Sequence, residues 1–154
     1  MKMFRFGTTA GLVRAAFLIA SLVILSANAF ASEHPCSATQ GQKADAAVDT
    51  LHSWNSLYEW YSLYVQCDDG GAAEAVSEAV ARNLVDRWGT LPELSQLTVK
   101  SPKFRSFVLK HIDETLNMDD VRKIQANASL HCPSKLRPLC DSIKAQAEKQ
   151  GAKG

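Results

Sequence analysis

Residues 51–71, LHSWNSLYEWYSLYVQCDDGG, constrain the chain more than any other stretch. Five large rings, Trp54, Tyr58, Trp60, Tyr61 and Tyr64, fall within eleven residues, and the run closes on Cys67-Asp68-Asp69-Gly70-Gly71. Apolar positions recur at Ala47, Leu51, Trp54, Tyr58, Tyr61 and Val65, alternating steps of four and three that mark one face of a helix. Leu57, Trp60 and Tyr64 widen that face until only Asn55, Glu59, Ser62 and Gln66 form a polar strip. A helix with so broad an apolar arc must be covered by other elements or offer a flank to a partner. The spacing therefore predicts one central helix over residues 44–66, with the remaining chain packed around it.

The start of the sequence has a different character. Lys2, Arg5 and Arg14 are the only charges before Glu33. The apolar run AAFLIASLVIL at residues 15–25 leads into Ser26-Ala27-Asn28-Ala29, with Ala29-Phe30-Ala31 as a second small-residue site. This is the layout of a secretory signal, and its apolar run is too short to span a hydrocarbon core of about 30 Å. Residues 1–31 are expected to be a cleaved signal peptide. The mature chain is then expected in the periplasm, with no stable membrane anchor. Residues 32–43 are predicted as an extended arm, 44–150 as a single helical domain and 151–154 as a disordered tail.

All four cysteines, Cys36, Cys67, Cys132 and Cys140, follow the signal. An even count in an exported chain predicts two disulfides. The spacings of 31, 65 and 8 contain no C-x-x-C pair, so neither a metal nor a cofactor is expected. A helix of about 22 residues is about 33 Å long, whereas the stretch before it reaches about 27 Å when extended. Cys36–Cys67 thus requires the helix to start late, near Ala47, with the arm running back beside it. Cys132 and Cys140 flank a turn and pair easily. The crossed map, Cys67–Cys132 with Cys36–Cys140, stays open beside it.

Five further segments carry helical stripes. They are residues 72–88 (Ala73, Val76, Val80, Leu84, Trp88), a short helix with Leu91, Leu94 and Leu97, residues 102–114 (Phe104, Phe107, Val108, Ile112), a helix with Val121, Ile124 and Ala128, and residues 136–150 (Leu139, Ile143, Ala147). Gly89 is predicted as a left-handed stop, Thr90 to Glu93 as a capping box, and Ser101 and Asn117 as N-caps. No segment alternates with period two. The predicted class is all-α: a compact bundle of five to six helices around the aromatic-rich helix, held by two disulfides.

Beyond residue 31 there are 14 Lys+Arg against 16 Asp+Glu, which is not the balance of a nucleic-acid binder. The charge is uneven: residues 32–78 hold one base and eight acids, residues 79–154 thirteen bases and eight acids. Asp68 and Asp69 suit either an acidic hook for a basic partner or the cap of the following helix. They lack the alternating acids of an EF-hand loop. His111 follows Phe104 and Phe107 on the inner face and is expected as a histidine satisfied at the core edge. Asp113, two residues on, points to another side of the helix. His52, Ser56 and Glu59 share a side of the central helix without an oxyanion donor. No G-x-S-x-G, H-E-x-x-H or phosphate loop occurs, and no catalytic residue is assigned.

Trp54-x3-Tyr58, Cys67-Asp68-Asp69-Gly70, Arg87-Trp88, Phe104-x2-Phe107-Val108-Leu109-x-His111-Ile112-Asp113 and Cys132-Pro133 together resemble a group of small exported helical proteobacterial proteins with no assigned activity. The resemblance runs over residues 54–140. Size, export, helices and cysteine pairs are more loosely similar to periplasmic immunity proteins that neutralise type VI secretion amidase toxins. The acidic first half and the aromatic excess point the same way. The expectation is a non-enzymatic binding or inhibitory protein with a protein partner, a cell-wall hydrolase in its most concrete form. The partner would be met through Trp54, Trp60, Tyr64, Asp68 and Asp69. One alternative is a small periplasmic hydrolase, which requires Asp68, Asp69 and His111 to converge on a pocket. Another is a structural envelope protein, which requires a filled core with no ring left exposed.

Overall fold

The computed structural model describes residues 35–152. Residues 1–34, on which the expected signal peptide and its cleavage sites fall, and residues 153–154 of the expected tail lie outside them. Seven α-helices and no strand occur among the described residues: α1 (Ala38–Ala47), α2 (Trp54–Tyr64), α3 (Gly70–Val85), α4 (Leu91–Lys100), α5 (Pro102–Lys110), α6 (Met118–Leu130) and α7 (Arg137–Gly151). The all-α class and both disulfides are as the sequence predicts, with seven helices in place of five or six. None of the helices is long and apolar enough to cross a membrane.

The largest departure is in the central helix. Residues 44–66 are not one helix but parts of two. The supposed arm is already helical from Ala38, because Ser37 and Gln40 form a reciprocal capping box. This helix ends in a 3₁₀ turn, Val48–Thr50, and α2 then starts afresh at Trp54 behind a second capping box made by Ser53 and Ser56. Thr50 Oγ1 donates to Ala47 O at 2.7 Å, and the Ser53 hydroxyl accepts from Ser56 N at 3.1 Å. Short hydroxyl side chains thus offer the backbone bonds that compete with a continuous helix.

The break lets α1 fold back on α2. Trp60, 2 % exposed, donates its indole N–H to Ala44 O at 3.1 Å. The buried residues of α2 are Trp54, Leu57 and Trp60, so the core face is rotated from the predicted stripe, and Val65 at its end lies 41 % exposed. The reversal also brings Cys36 to Cys67, giving the pairing Cys36–Cys67 and Cys132–Cys140.

Most of the later stripe residues face the core, but α3 and α5 end at Val85 and Lys110, short of the predicted Trp88 and Ile112. Val76, Val80 and Leu84 of α3, Phe104, Phe107 and Val108 of α5, Val121, Ile124 and Ala128 of α6, and Leu139, Ile143 and Ala147 of α7 all join one core. Ser101 caps α5 and Asn117 caps α6 through the expected bonds. Gly89 does not stop α3 in the left-handed region. That helix ends at Val85, and Gly70, at φ 49°, is the described glycine with a positive φ. Thr90 turns its hydroxyl back to Arg87 O instead of capping α4. α6 and α7 pack as a hairpin closed by Cys132–Cys140, α3 lies against α6, and α4 and α5 cover α2 and α7. Arg82 of α3 clasps Glu78, Asp86 and the nearly enclosed Asp120 of α6.

The two crosslinks differ in what they constrain. Cys36–Cys67 closes 31 residues and Cys132–Cys140 closes 8. Chain-entropy arithmetic gives about 3.7 and about 2.5 kcal/mol respectively. Replacing Cys36 and Cys67 by Ala is expected to lower the unfolding free energy in urea by about 1 kcal/mol more than replacing Cys132 and Cys140. The two-state denaturation curves of the paired variants measure that difference directly.

Candidate functional site

The turn at residues 67–71 joins α2 to α3 and brings the sequence-predicted acids to α5. Cys67 is buried in a 3₁₀ turn, Val65–Cys67, and fixed to Cys36. The next residue, Asp68, points inward with a side chain 5 % exposed. Its carboxylate receives Lys110 Nζ at 2.8 Å and lies 3.2 Å from His111 Nε2. Asp69 takes the N-cap position of α3 without forming a side-chain cap bond, and it is exposed. The capping role the sequence offered both acids is therefore unfilled, and the two have separate fates.

His111 closes α5 and is 1 % exposed, with the edge of its ring against Phe107 at 4.5 Å. Its Nδ1 lies 2.9 Å from the Ser77 hydroxyl of α3, and that hydroxyl lies 2.9 Å from Asp113 Oδ2. Asp113 lies beyond the end of α5, not on the predicted helix over residues 102–114, and it reaches His111 through Ser77. Asp113 is held in turn by Thr115, whose N–H and hydroxyl both donate to Oδ1. The result is a continuous chain, Lys110–Asp68–His111–Ser77–Asp113. It ties the α2–α3 turn, α3 and the end of α5 together.

Ser77 was not singled out by its residue type. It sits on the buried side of α3, three residues before Val80 and seven before Leu84. A hydroxyl on an apolar stripe needs a partner, and that misplacement was the available signal.

The connectivity Asp68–His111–Ser77 has the members of a nucleophile, a base and an orienting carboxylate. The setting does not serve catalysis. Ser77 and His111 are each 1 % exposed, so a substrate cannot reach the hydroxyl, and Asp113 competes for its proton. Asp69 is not part of the chain. Among the described residues no group of three His, Cys, Asp or Glu is arranged to hold a metal ion.

The aromatic candidates are mostly enclosed. Trp54 and Trp60 are 1 % and 2 % exposed and belong to the core. Tyr64 is half-buried, its ring 6.1 Å from that of Trp60. The exposed apolar side chains here are ones the sequence did not single out, Leu63 (61 %) and Val65 (41 %), and they flank Tyr64. No protein-family model matches the sequence, and comparison with curated proteins and with solved structures finds no match to the chain or its fold.

Burial pushes the Asp68 carboxyl up, but hydrogen bonds and positive charge from His111 and Lys110 outweigh it and hold the group below the usual carboxylate range. Burial likewise raises Asp120, and bonds from Arg82 and Asn117 bring it below that range. A carboxyl depressed in the folded state contributes stability that is present above its unfolded value and is lost as pH falls through its folded value. Urea unfolding is therefore expected to show stability declining from about pH 5 downward. Asp68→Ala, which strands the His111 and Lys110 donors, is expected to cost about 3 kcal/mol at neutral pH and to flatten part of that acid decline.

Proposed function

We propose that the chain is a non-enzymatic periplasmic binding protein that inhibits a cell-wall hydrolase. Its contact edge is Leu63, Tyr64, Val65 and Asp69. The observation that carries this proposal is the pair of exposed apolar side chains, Leu63 and Val65, set around a half-buried Tyr64 and followed by an exposed carboxylate at Asp69. Elsewhere in α2 the apolar residues are buried or half-buried. Tyrosine and aliphatic anchors beside a charge are the materials of a protein interface.

The edge is also preorganised. Cys67, bonded to Cys36, and Asp68, bonded to His111 and Lys110, lie between Val65 and Asp69. A contact held rigid before binding loses less entropy on association. The eight acids against one base in residues 32–78 suit a partner with a basic cleft. The two disulfides fit an oxidising compartment such as the periplasm. Trp54, Trp60 and Asp68 act in this role as supports of the edge and not as its contact atoms. The looser likeness to immunity proteins agrees with the inhibitory role.

A structural envelope protein is the second reading, favoured by one observation: every described aromatic ring is buried or half-buried. Crosslinking in the periplasm followed by co-purification separates the two. The binding role expects a captured protein that cleaves peptidoglycan and is inhibited by this chain. It also expects Leu63→Asp and Asp69→Lys each to weaken that inhibition at least about tenfold, while Leu130→Asp, a change at a 75 % exposed side chain of α6, does not. Equal inhibition by all three variants, or no inhibited hydrolase, sinks it.

A further inference from the structure

We propose that the groove between α4, the start of α5 and the Cys132–Cys140 loop binds the C-terminal end of a peptide, whose carboxylate is received by Arg105 and Lys135. The groove shares no residue with the edge at Leu63 to Asp69, and its assignment does not rest on the inhibitory role.

α4 forms one wall. Its Leu91, Leu94 and Leu97 turn into the core, and the adjoining flank of the helix lines the groove with Ser95, Thr98 and Val99. Val99, at 81 %, is the most exposed large apolar side chain among the described residues. The facing wall is the loop, which contributes Leu136, Pro138 and Leu139 and is closed by the disulfide over eight residues. A second hollow, lined by Pro92, Pro133 and Ser134, adjoins the first, because Lys135 and Leu136 line both. Their volumes are about 200 and about 300 Å³. Together they make an elongated cleft with apolar walls along its length.

The charge of this cleft is of one sign. Arg105 and Lys135 line it, and no acidic side chain does. Arg105 is half-buried and donates from Nη2 to Pro138 O at 3.0 Å and to the Ser142 hydroxyl, both neutral acceptors. These bonds fix the guanidinium without neutralising it, and the hydrogens on Nη1 remain for another acceptor. Among the described residues neither Arg105 nor Lys135 is paired with a carboxylate, whereas Arg82 is met by three.

Two cations without an acid select an anion, and a fixed guanidinium matches the planar oxygens of a carboxylate. The walls narrow the class further. Val99, Leu136 and Pro138 would face the oxygens of a bare inorganic anion, but they can cover the small aliphatic side chain next to a peptide carboxylate. The Ser95 hydroxyl offers a hydrogen to a peptide carbonyl, and the hollow beyond Leu136 gives the preceding residues a place to lie. The crosslinked loop and the anchored Arg105 hold this arrangement before binding, which lowers its entropic cost.

The test is an amide-shift NMR titration of the oxidised chain with three probes: N-acetyl-Ala-Ala, the same dipeptide closed by a C-terminal amide, and inorganic phosphate. The expected result is saturable shifts at residues 95–99 and 134–139 with the free acid, and binding at least about tenfold weaker for the amide. Lys135→Glu, a change at an exposed side chain, and Arg105→Gln should each weaken the acid at least about tenfold. If Arg105→Gln loosens α5 from α7, Lys135→Glu alone decides. Equal binding of acid and amide overturns the proposal, as does the lack of saturable shifts in the groove up to about 20 mM acid. Phosphate binding as tightly as the dipeptide also overturns it, because the cleft would then read charge and not a peptide end.

Discussion

A buried indole must find an acceptor for its N–H, and the acceptor that Trp60 finds sets the arrangement of the first half of the molecule. Ala44 O lies on α1, sixteen residues earlier, so satisfying Trp60 at 3.1 Å holds α1 against α2. That placement returns Cys36 to Cys67, and the disulfide then anchors the turn that presents Asp68 inward. The same indole lies 6.2 Å from Phe107, whose ring packs edge-to-face with that of His111 at 4.5 Å. One tryptophan therefore positions both ends of the Asp68–His111 contact, one through the backbone and a crosslink, the other through stacked rings. Trp54 is buried as deeply, yet its Nε1 has no protein acceptor. It contributes apolar area and fixes no partner.

The sequence carried the class and most of the core, and it failed where side chains bond to the backbone. Period-3.6 stripes located α5, α6 and α7 because their inner residues are simple apolar ones whose burial decides the helix phase. Ser101 and Asn117 were legible as caps because each stands just before a stripe begins. The break between α1 and α2 was not legible. The apolar steps from Ala47 to Tyr61 run through Leu51 and Trp54 without interruption, and periodicity takes no account of the hydroxyls of Thr50, Ser53 and Ser56 that end one helix and start the next. Missing that break also left the disulfide map open, since a continuous helix keeps Cys36 far from Cys67.

The candidate site was legible in pieces. Asp68 and His111 stood out as residue types, but they lie 43 positions apart, and only the packing of α5 beside the α2–α3 turn joins them. Ser77 is a small polar residue in an alanine-rich helix, and only its place on the apolar stripe with Val80 and Leu84 marks it. The misjudged aromatics have a different cause. Five rings in eleven residues looked excessive for a domain of this size, yet the rings of Tyr58 and Tyr61 pack against Phe104 at 5.0 and 5.3 Å, and Phe107 takes up Trp60 and Tyr61. The surplus of α2 is matched by a surplus on α5, so the rings consume one another.

The buried chain and the exposed edge are two faces of the same turn. A hydroxyl, an imidazole and a carboxylate in hydrogen-bond contact have the parts of a hydrolytic site, but a nucleophile must be free to reach a substrate, and here the hydroxyl is enclosed and donates to Asp113. What the chain does instead is mechanical. It binds α3 and the end of α5 to residues 67–71 by bonds that are strong because they are dry. That rigidity has a use on the outer side, where Leu63 and Val65 stand exposed on a backbone that cannot easily rearrange to bury them. An apolar pair held beside a crosslink and the Asp68–His111 contact is a surface for which the fold itself offers no cover, and that uncovered pair is what the proposed binding role rests on.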